Sequence, residues 1–251
     1  MNSIISAVNR AATADLANLS MMHTANGEDF LSILDSRVIK ATKCKVFSPD
    51  LLSYFFLGRP AYKTTIVQDP SFWQLPAIFA MRNSKKWTPK RIYPFDSGAH
   101  EMGRYADIIG RIERDEFLLS NDCEIAGKTI TYFFENVERY IAARAIPYEI
   151  ISKRLSDDLR SFPALALSKL YNHPYNDAID DRVKLIELQF DQDIPIDQGD
   201  LKAVIICKEW LRDPKIRDSL DALGCKICTY PIMPLSSANY YSKIYEISEG
   251  L

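Results

Sequence analysis

"DDRVKLIELQF" (Asp180 to Phe190) reads as a strand launched from an acidic turn, yet Glu187 stands where a buried strand usually carries a valine. If residues 182–190 alternate, Val183, Leu185, Glu187 and Gln189 share one face, and Lys184, Ile186, Leu188 and Phe190 share the other. One face then turns from apolar to polar halfway along, as in a strand passing from core into a cleft. A carboxylate there must be solvated at an edge, paired with a base, or functional, because burying it alone is very costly.

Working outward, "LKAVIIC", "EWLRDPKIRDSLDAL" and "CKICTYPI" downstream read as strand, short helix and strand. Upstream, "LSMMHT" is a short apolar run ending in His23 and Thr24. The segment "ANGEDFLSILDSRVIK" then predicts a helix capped by Asn26 or Thr24, with Glu28 and Asp29 in its first turn and Phe30, Ile33 and Leu34 as its buried stripe. "DLLSYFFLGRPAYKTTIV" reads as strand, Gly-Arg-Pro break, strand, and "LPAIFAM" as a buried strand. Residues 4–19 predict an N-terminal helix. Residues 128–145 carry the helical period through Ile130, Phe133, Phe134, Val137 and Ile141. A polar helix and a loop follow Pro147, and the C-terminus reads as a tail. Strands and helices mix without a regular βαβ rhythm, so the fold class is α+β, expected as a single domain over residues 1–251.

The chain has 251 residues, 47% hydrophobic and 25% charged, which excludes disordered and collagen-like classes. The net charge of −2 supplies no global field toward nucleic acid or anionic membrane, and only a local basic groove stays open. No apolar run reaches the roughly 20 residues of a membrane span. The N-terminal stretch lacks a basic start followed by a long apolar core, so a cytoplasmic protein without a secretory signal is expected. The odd cysteine count, 5, fits that compartment, and "CKIC" reads as strand thiols, since a zinc site needs about four ligands. There is no G-x-G-x-x-G, Walker loop or G-x-S-x-G elbow.

Taken singly, each candidate has a structural alternative. Arg59, behind Tyr54, Phe55, Phe56, Leu57 and Gly58, suits a bidentate phosphate or carboxylate, or ties down its own loop. The aromatics are core or ligand-stacking residues. His23 packs or binds. Their order, however, resembles the ADP-ribosyltransferase superfamily: His23-Thr24 with "FLSILDSRVI", an aromatic strand with Arg59, then Glu187 followed by "IPIDQGDLKAVII". The nearest branch it resembles is the DarT-like toxins that modify nucleic acid, with the difference that Pro60 follows Arg59 directly. Residues 65–179 have no counterpart in the resemblance.

The resemblance implies two small packed β-sheets forming an NAD cleft, with peripheral helices. It implies NAD as substrate, held by His23, Thr24, Tyr54, Phe55 and Gly58, with Tyr54 or Phe55 facing the nicotinamide. Glu187 would stabilise the oxocarbenium-like state and Arg59 would neutralise the pyrophosphate or assist proton transfer. Arg182 would orient Glu187 or remain solvated. The implied acceptor is a DNA or RNA base, with a protein acceptor, a hydrolytic NADase and an inactive binding module as alternatives. An antitoxin protein is an implied partner and a membrane is not.

Overall fold

The computed structural model describes residues 3–61, 71, 74–84, 86–110, 112–155, 159–173, 182–232 and 237–251. The second strand expected after the Gly-Arg-Pro break and the acidic turn at Asp180 and Asp181 lie outside the described residues. The fold is mixed, a multi-stranded sheet with helices, as the α+β reading requires. Backbone contacts divide the chain into two compact units: residues 17–44, 48–86 and 190–251 form one, and 1–16, 45–47 and 87–189 the other. The second unit draws mainly on the stretch that the resemblance leaves unmatched.

The first unit is built on a sheet of strand order β10-β9-β5-β1-β4, with β3 on β4. These are β1 (Met21–Ala25), β3 (Thr42–Lys43), β4 (Leu51–Leu57), β5 (Ala77–Met81), β9 (Leu201–Cys207) and β10 (Lys226–Tyr230). A small ribbon pairs β2 (Val38–Ile39) with β8 (Ile194–Pro195). The pairings are antiparallel except β9 with β10, which α9 (Pro214–Asp221) links as a crossover. Every residue of β5 is buried and β9 is nearly so, which is why both read as continuous Val, Ile, Leu and Ala runs rather than alternating ones.

Asn26 caps α2 (Gly27–Ser36) by accepting from the Asp29 backbone N–H at 2.9 Å, and Glu28 and Asp29 complement the helix dipole. Phe30 on its buried stripe stacks on Trp210 at 4.8 Å. The C-terminal segment, expected as a tail, is α10 (Ser237–Glu249), which buries Tyr240, Tyr241 and Ile244.

The second unit is mainly helical: α1 (Ser3–Val8), α3 (Ser97–Glu101), α4 (Ala106–Ile109), α5 (Cys123–Phe134), α6 (Val137–Ile141), α7 (Tyr148–Leu155) and α8 (Phe162–Asn172). Two strands pair antiparallel within it, β6 (Arg91–Tyr93) and β7, which starts at Glu187 and runs to Phe190. Several elements here differ from the sequence expectation. The N-terminal helix stops at Val8. The single helix expected over 128–145 is two, because Glu135 takes a positive φ of 77° and Asn136 caps a new helix by accepting from the Arg139 N–H. Where the sequence reading has one polar helix and a loop after Pro147, the structure has α7 and then α8, which is started by Pro163 in its first turn and buries Ala164, Leu167, Leu170 and Tyr171. Gly127 is required where α5 passes residues 13–14, since a Cβ there would stand 2.8 Å from the Ala14 carbonyl oxygen.

The opening stretch is itself corrected. Arg182–Lys184 form a 3-10 turn, the strand begins only at Glu187, and all four of its residues are buried. The strand reading therefore holds for residues 187–190 and not for the segment before them, and the side expected to open into a cleft, with Glu187 and Gln189, is buried as well.

Candidate functional site

Strand β1 follows β5 along its whole length, to Ala25 opposite Ala77, but its ladder with β4 covers only Met21 opposite Leu57 and Met22 opposite Phe56. At His23 and Thr24 that second ladder has ended. In its place the His23 ring bonds the Tyr54 carbonyl through Nδ1 at 2.8 Å. A carbonyl only accepts, so Nδ1 carries the proton, and in the neutral ring Nε2 is the basic nitrogen.

A cavity of about 230 Å3 opens at this end of the sheet, lined by His23, Thr24, Asn26, Asp29, Tyr54 and Phe56, with Ala25, Ala61 and Pro76 closing it. Typical small-molecule sites span about 300–1,000 Å3, so this one has the volume of a ring-sized group. The Thr24 hydroxyl is buried and has no hydrogen-bond partner among the described residues. Leaving such a group unmet costs about 1–3 kcal/mol, so the hydroxyl is a candidate for contact with a water or a ligand.

The other residues of the aromatic strand do different work. Tyr54 lines the cavity and donates its hydroxyl to Cys44 Sγ. Phe55 is fully buried, 5.4 Å from the His23 ring and edge-on to Phe190 at 5.5 Å, so it backs His23 from the core. Of the two aromatics, Tyr54 is the one at the cavity. Gly58 adopts φ 79°, closed to most side chains, and its N–H bonds the Ser20 carbonyl at 2.7 Å. Arg59, next in the chain, is 6% exposed, and the turn it occupies is pinned where Tyr245 on α10 donates to the Pro60 carbonyl. Neither Phe55, Gly58 nor Arg59 is among the cavity's lining residues.

Glu187 belongs to the helical unit and is 0% exposed. Its Oε1 accepts from Ser97 Oγ at 2.6 Å and from Gln189 Nε2 at 2.5 Å, and its Oε2 accepts from the Ser97 N–H at 3.2 Å. Gln189 Nε2 also donates to Ser97 Oγ, while Gln189 Oε1 lacks a partner among the described residues. This cluster is fixed from behind. Asp96 caps α3 through the Ala99 N–H and pairs with Arg182 at 3.2 Å, both side chains almost wholly buried. Arg182 is thus not solvated, and it holds Ser97 in position through Asp96. Tyr140 accepts the Ile186 N–H just before β7, and Tyr171 donates to the Pro94 carbonyl just after β6.

No local sequence pattern links Ser97 to Glu187, since 90 residues separate them. Ser97 Oγ donates to Glu187, and His100 Nε2 bonds the Ile112 carbonyl. Burial lowers the His100 pKa, partly opposed by Glu101.

Cys225 and Cys228 are free, half-buried thiols at and on β10. Burial raises both pKa values, which keeps them as thiols at neutral pH. Among the described residues no group of three His, Cys, Asp or Glu side chains is placed to hold a metal, and no helix is long and apolar enough to cross a membrane. No protein-family model, curated protein or solved structure matches the chain.

Proposed function

We propose that the protein is an NAD-dependent mono-ADP-ribosyltransferase of a toxin or anti-phage kind. The observation that carries this reading is the divergence of β1 from β4 at His23-Thr24, where a ring-sized cavity is lined by Thr24, whose buried hydroxyl has no partner among the described residues. A nicotinamide carboxamide offers both a donor and an acceptor to such a hydroxyl. His23, held by its Nδ1 bond to the Tyr54 carbonyl, lines the same cavity and is assigned to a ribose hydroxyl. Tyr54 supplies an aromatic wall.

In this reaction the bond between nicotinamide N1 and ribose C1′ breaks, nicotinamide leaves as a neutral molecule, and C1′ bonds the acceptor nucleophile, whose proton goes to a base. The reading gives Glu187 the tasks of stabilising the cationic ribose and holding its 2′-hydroxyl, and of taking that proton. To do so its carboxylate exchanges one of its bonds to Ser97 or Gln189. Arg59 is assigned to the pyrophosphate. The two packed sheets and NAD cleft of that superfamily, like the antitoxin partner, belong to this proposal. A nucleic-acid base is the acceptor we favour, on the resemblance of "YFFLGRP" to the DarT-like strand, with protein second.

The full burial of Glu187 and its hydrogen bonds to Ser97 and Gln189 favour a second reading, a nucleotide-binding module in which this carboxylate is structural. Incubation of wild type with NAD labelled in the adenylate moiety, followed by separation of DNA, RNA and protein, decides between them. The transferase labels one pool, and Glu187→Gln abolishes the label with unchanged circular dichroism. A module binds NAD and leaves all three pools unlabelled.

A further inference from the structure

The helical unit holds a second cavity, of about 580 Å3, that the transferase reading does not use. Its walls carry three guanidinium groups, Arg10 just beyond α1, Arg139 on α6 and Arg154 in the last turn of α7, against one carboxylate, Glu135. Arg139 is held rigidly: its Nε and Nη2 donate to the Arg144 and Ala145 carbonyls, and Nη1 lies 3.4 Å from the Glu135 carboxylate. Arg154 lies over the Tyr132 ring, 5.7 Å from its centroid, and donates to the Tyr132 carbonyl through Nη1. Arg10 is exposed and makes no ion pair among the described residues. Ile146 and Pro147 add an apolar surface.

A protein of net charge −2 has no general excess of cations, so three arginines around one cavity are a local arrangement. Clustered guanidiniums suit phosphate oxygens, and a tyrosine under a guanidinium beside apolar side chains suits the flat face of a base. The volume lies within the usual range for a nucleotide-sized ligand, about 300–1,000 Å3. The geometry points to a binding site for a nucleoside phosphate, free or as a unit of a single-stranded nucleic acid, with Arg10 and Arg154 on the phosphate and Tyr132 with Pro147 against the base. Arg139 supplies a fixed positive wall. The inference does not rest on the transferase reading, because it needs neither NAD nor catalysis.

The test is fluorescence anisotropy of a labelled DNA single strand of roughly 12 nucleotides, titrated with the full-length protein at salt from about 50 to 200 mM. Wild type binds, and affinity falls as salt rises. The double variant Arg10→Gln/Arg154→Gln, both exposed positions, loses about tenfold or more in affinity and flattens the log K against log salt slope by about 1.4, two phosphates at about 0.7 each. The control Lys215→Gln/Arg217→Gln removes the same charge from α9 and binds as wild type. Competition separates the sources: displacement of the strand by ADP means that a free nucleotide suffices, and displacement only by unlabelled strand means that the chain is required. Equal loss in both double variants, no binding of the strand, or competition by inorganic phosphate as strong as by ADP would overturn the site.

Discussion

The His23 cavity and the Glu187 cluster both carry polar side chains in a buried setting, but their hydrogen bonds are distributed in opposite ways. At Glu187 both carboxylate oxygens are met, by Ser97 and Gln189, and Ser97 is itself held by the Asp96 cap and the Arg182 ion pair. At His23 a strand ladder stops short, a cavity opens and the Thr24 hydroxyl has no partner among the described residues. The first arrangement stabilises the fold as it stands. The second leaves a buried hydroxyl unmet beside open space. Burial and polarity alone therefore do not tell the two sites apart, and the distribution of hydrogen bonds does.

The contrast can be broken first at its most buried point. Arg182→Ala leaves Asp96 as an uncompensated buried charge and should cost about 3–5 kcal/mol in urea unfolding; a loss under about 1 kcal/mol would mean that the pair does not support the cluster. Glu187→Ala strands the donors of Ser97 and Gln189 and should cost about 3 kcal/mol, while Glu187→Gln, which keeps the shape and one acceptor, should cost about 1. Equal stability of Ala, Gln and wild type would show the carboxylate to be structurally idle. Thr24→Val should change stability by no more than about 1 kcal/mol, since no bond within the protein is lost.

The smallest effect is a pH dependence in the helical unit. Burial depresses the folded pKa of His100, so the unfolded chain binds the proton more readily. Its contribution is intact above the unfolded pKa of about 6.5 and is lost as pH falls below it toward the folded value. Melting curves of wild type should drop more steeply between about pH 6.5 and 5 than those of His100→Gln, in which the amide replaces the bond to Ile112. Parallel curves would remove His100 as the cause.

The sheet unit was the more legible in sequence. Asn26 and the acids after it announced α2, and the apolar runs of β5 and β9 announced strands buried on both faces. The helical unit was less so. Glu135 and Asn136 split a helix whose apolar period runs on, α8 follows a polar stretch, and Arg182 leaves the strand pattern because Asp96, 86 residues away, pairs with it. At the site, sequence order singled out His23, Thr24 and Tyr54, which the fold does bring to one cavity. Ser97 and Gln189 as the partners of Glu187, and the end of the β1–β4 ladder, are products of long-range pairing that no local window records.

The most direct measurement is calorimetric titration of NAD into wild type, Thr24→Val and His23→Ala. Binding by wild type, weakened at least about tenfold (about 1.4 kcal/mol) in both variants with their folds intact, is the predicted result. No heat with wild type, or equal affinity in all three proteins, would contradict the assignment of the His23 cavity to the nicotinamide end of NAD.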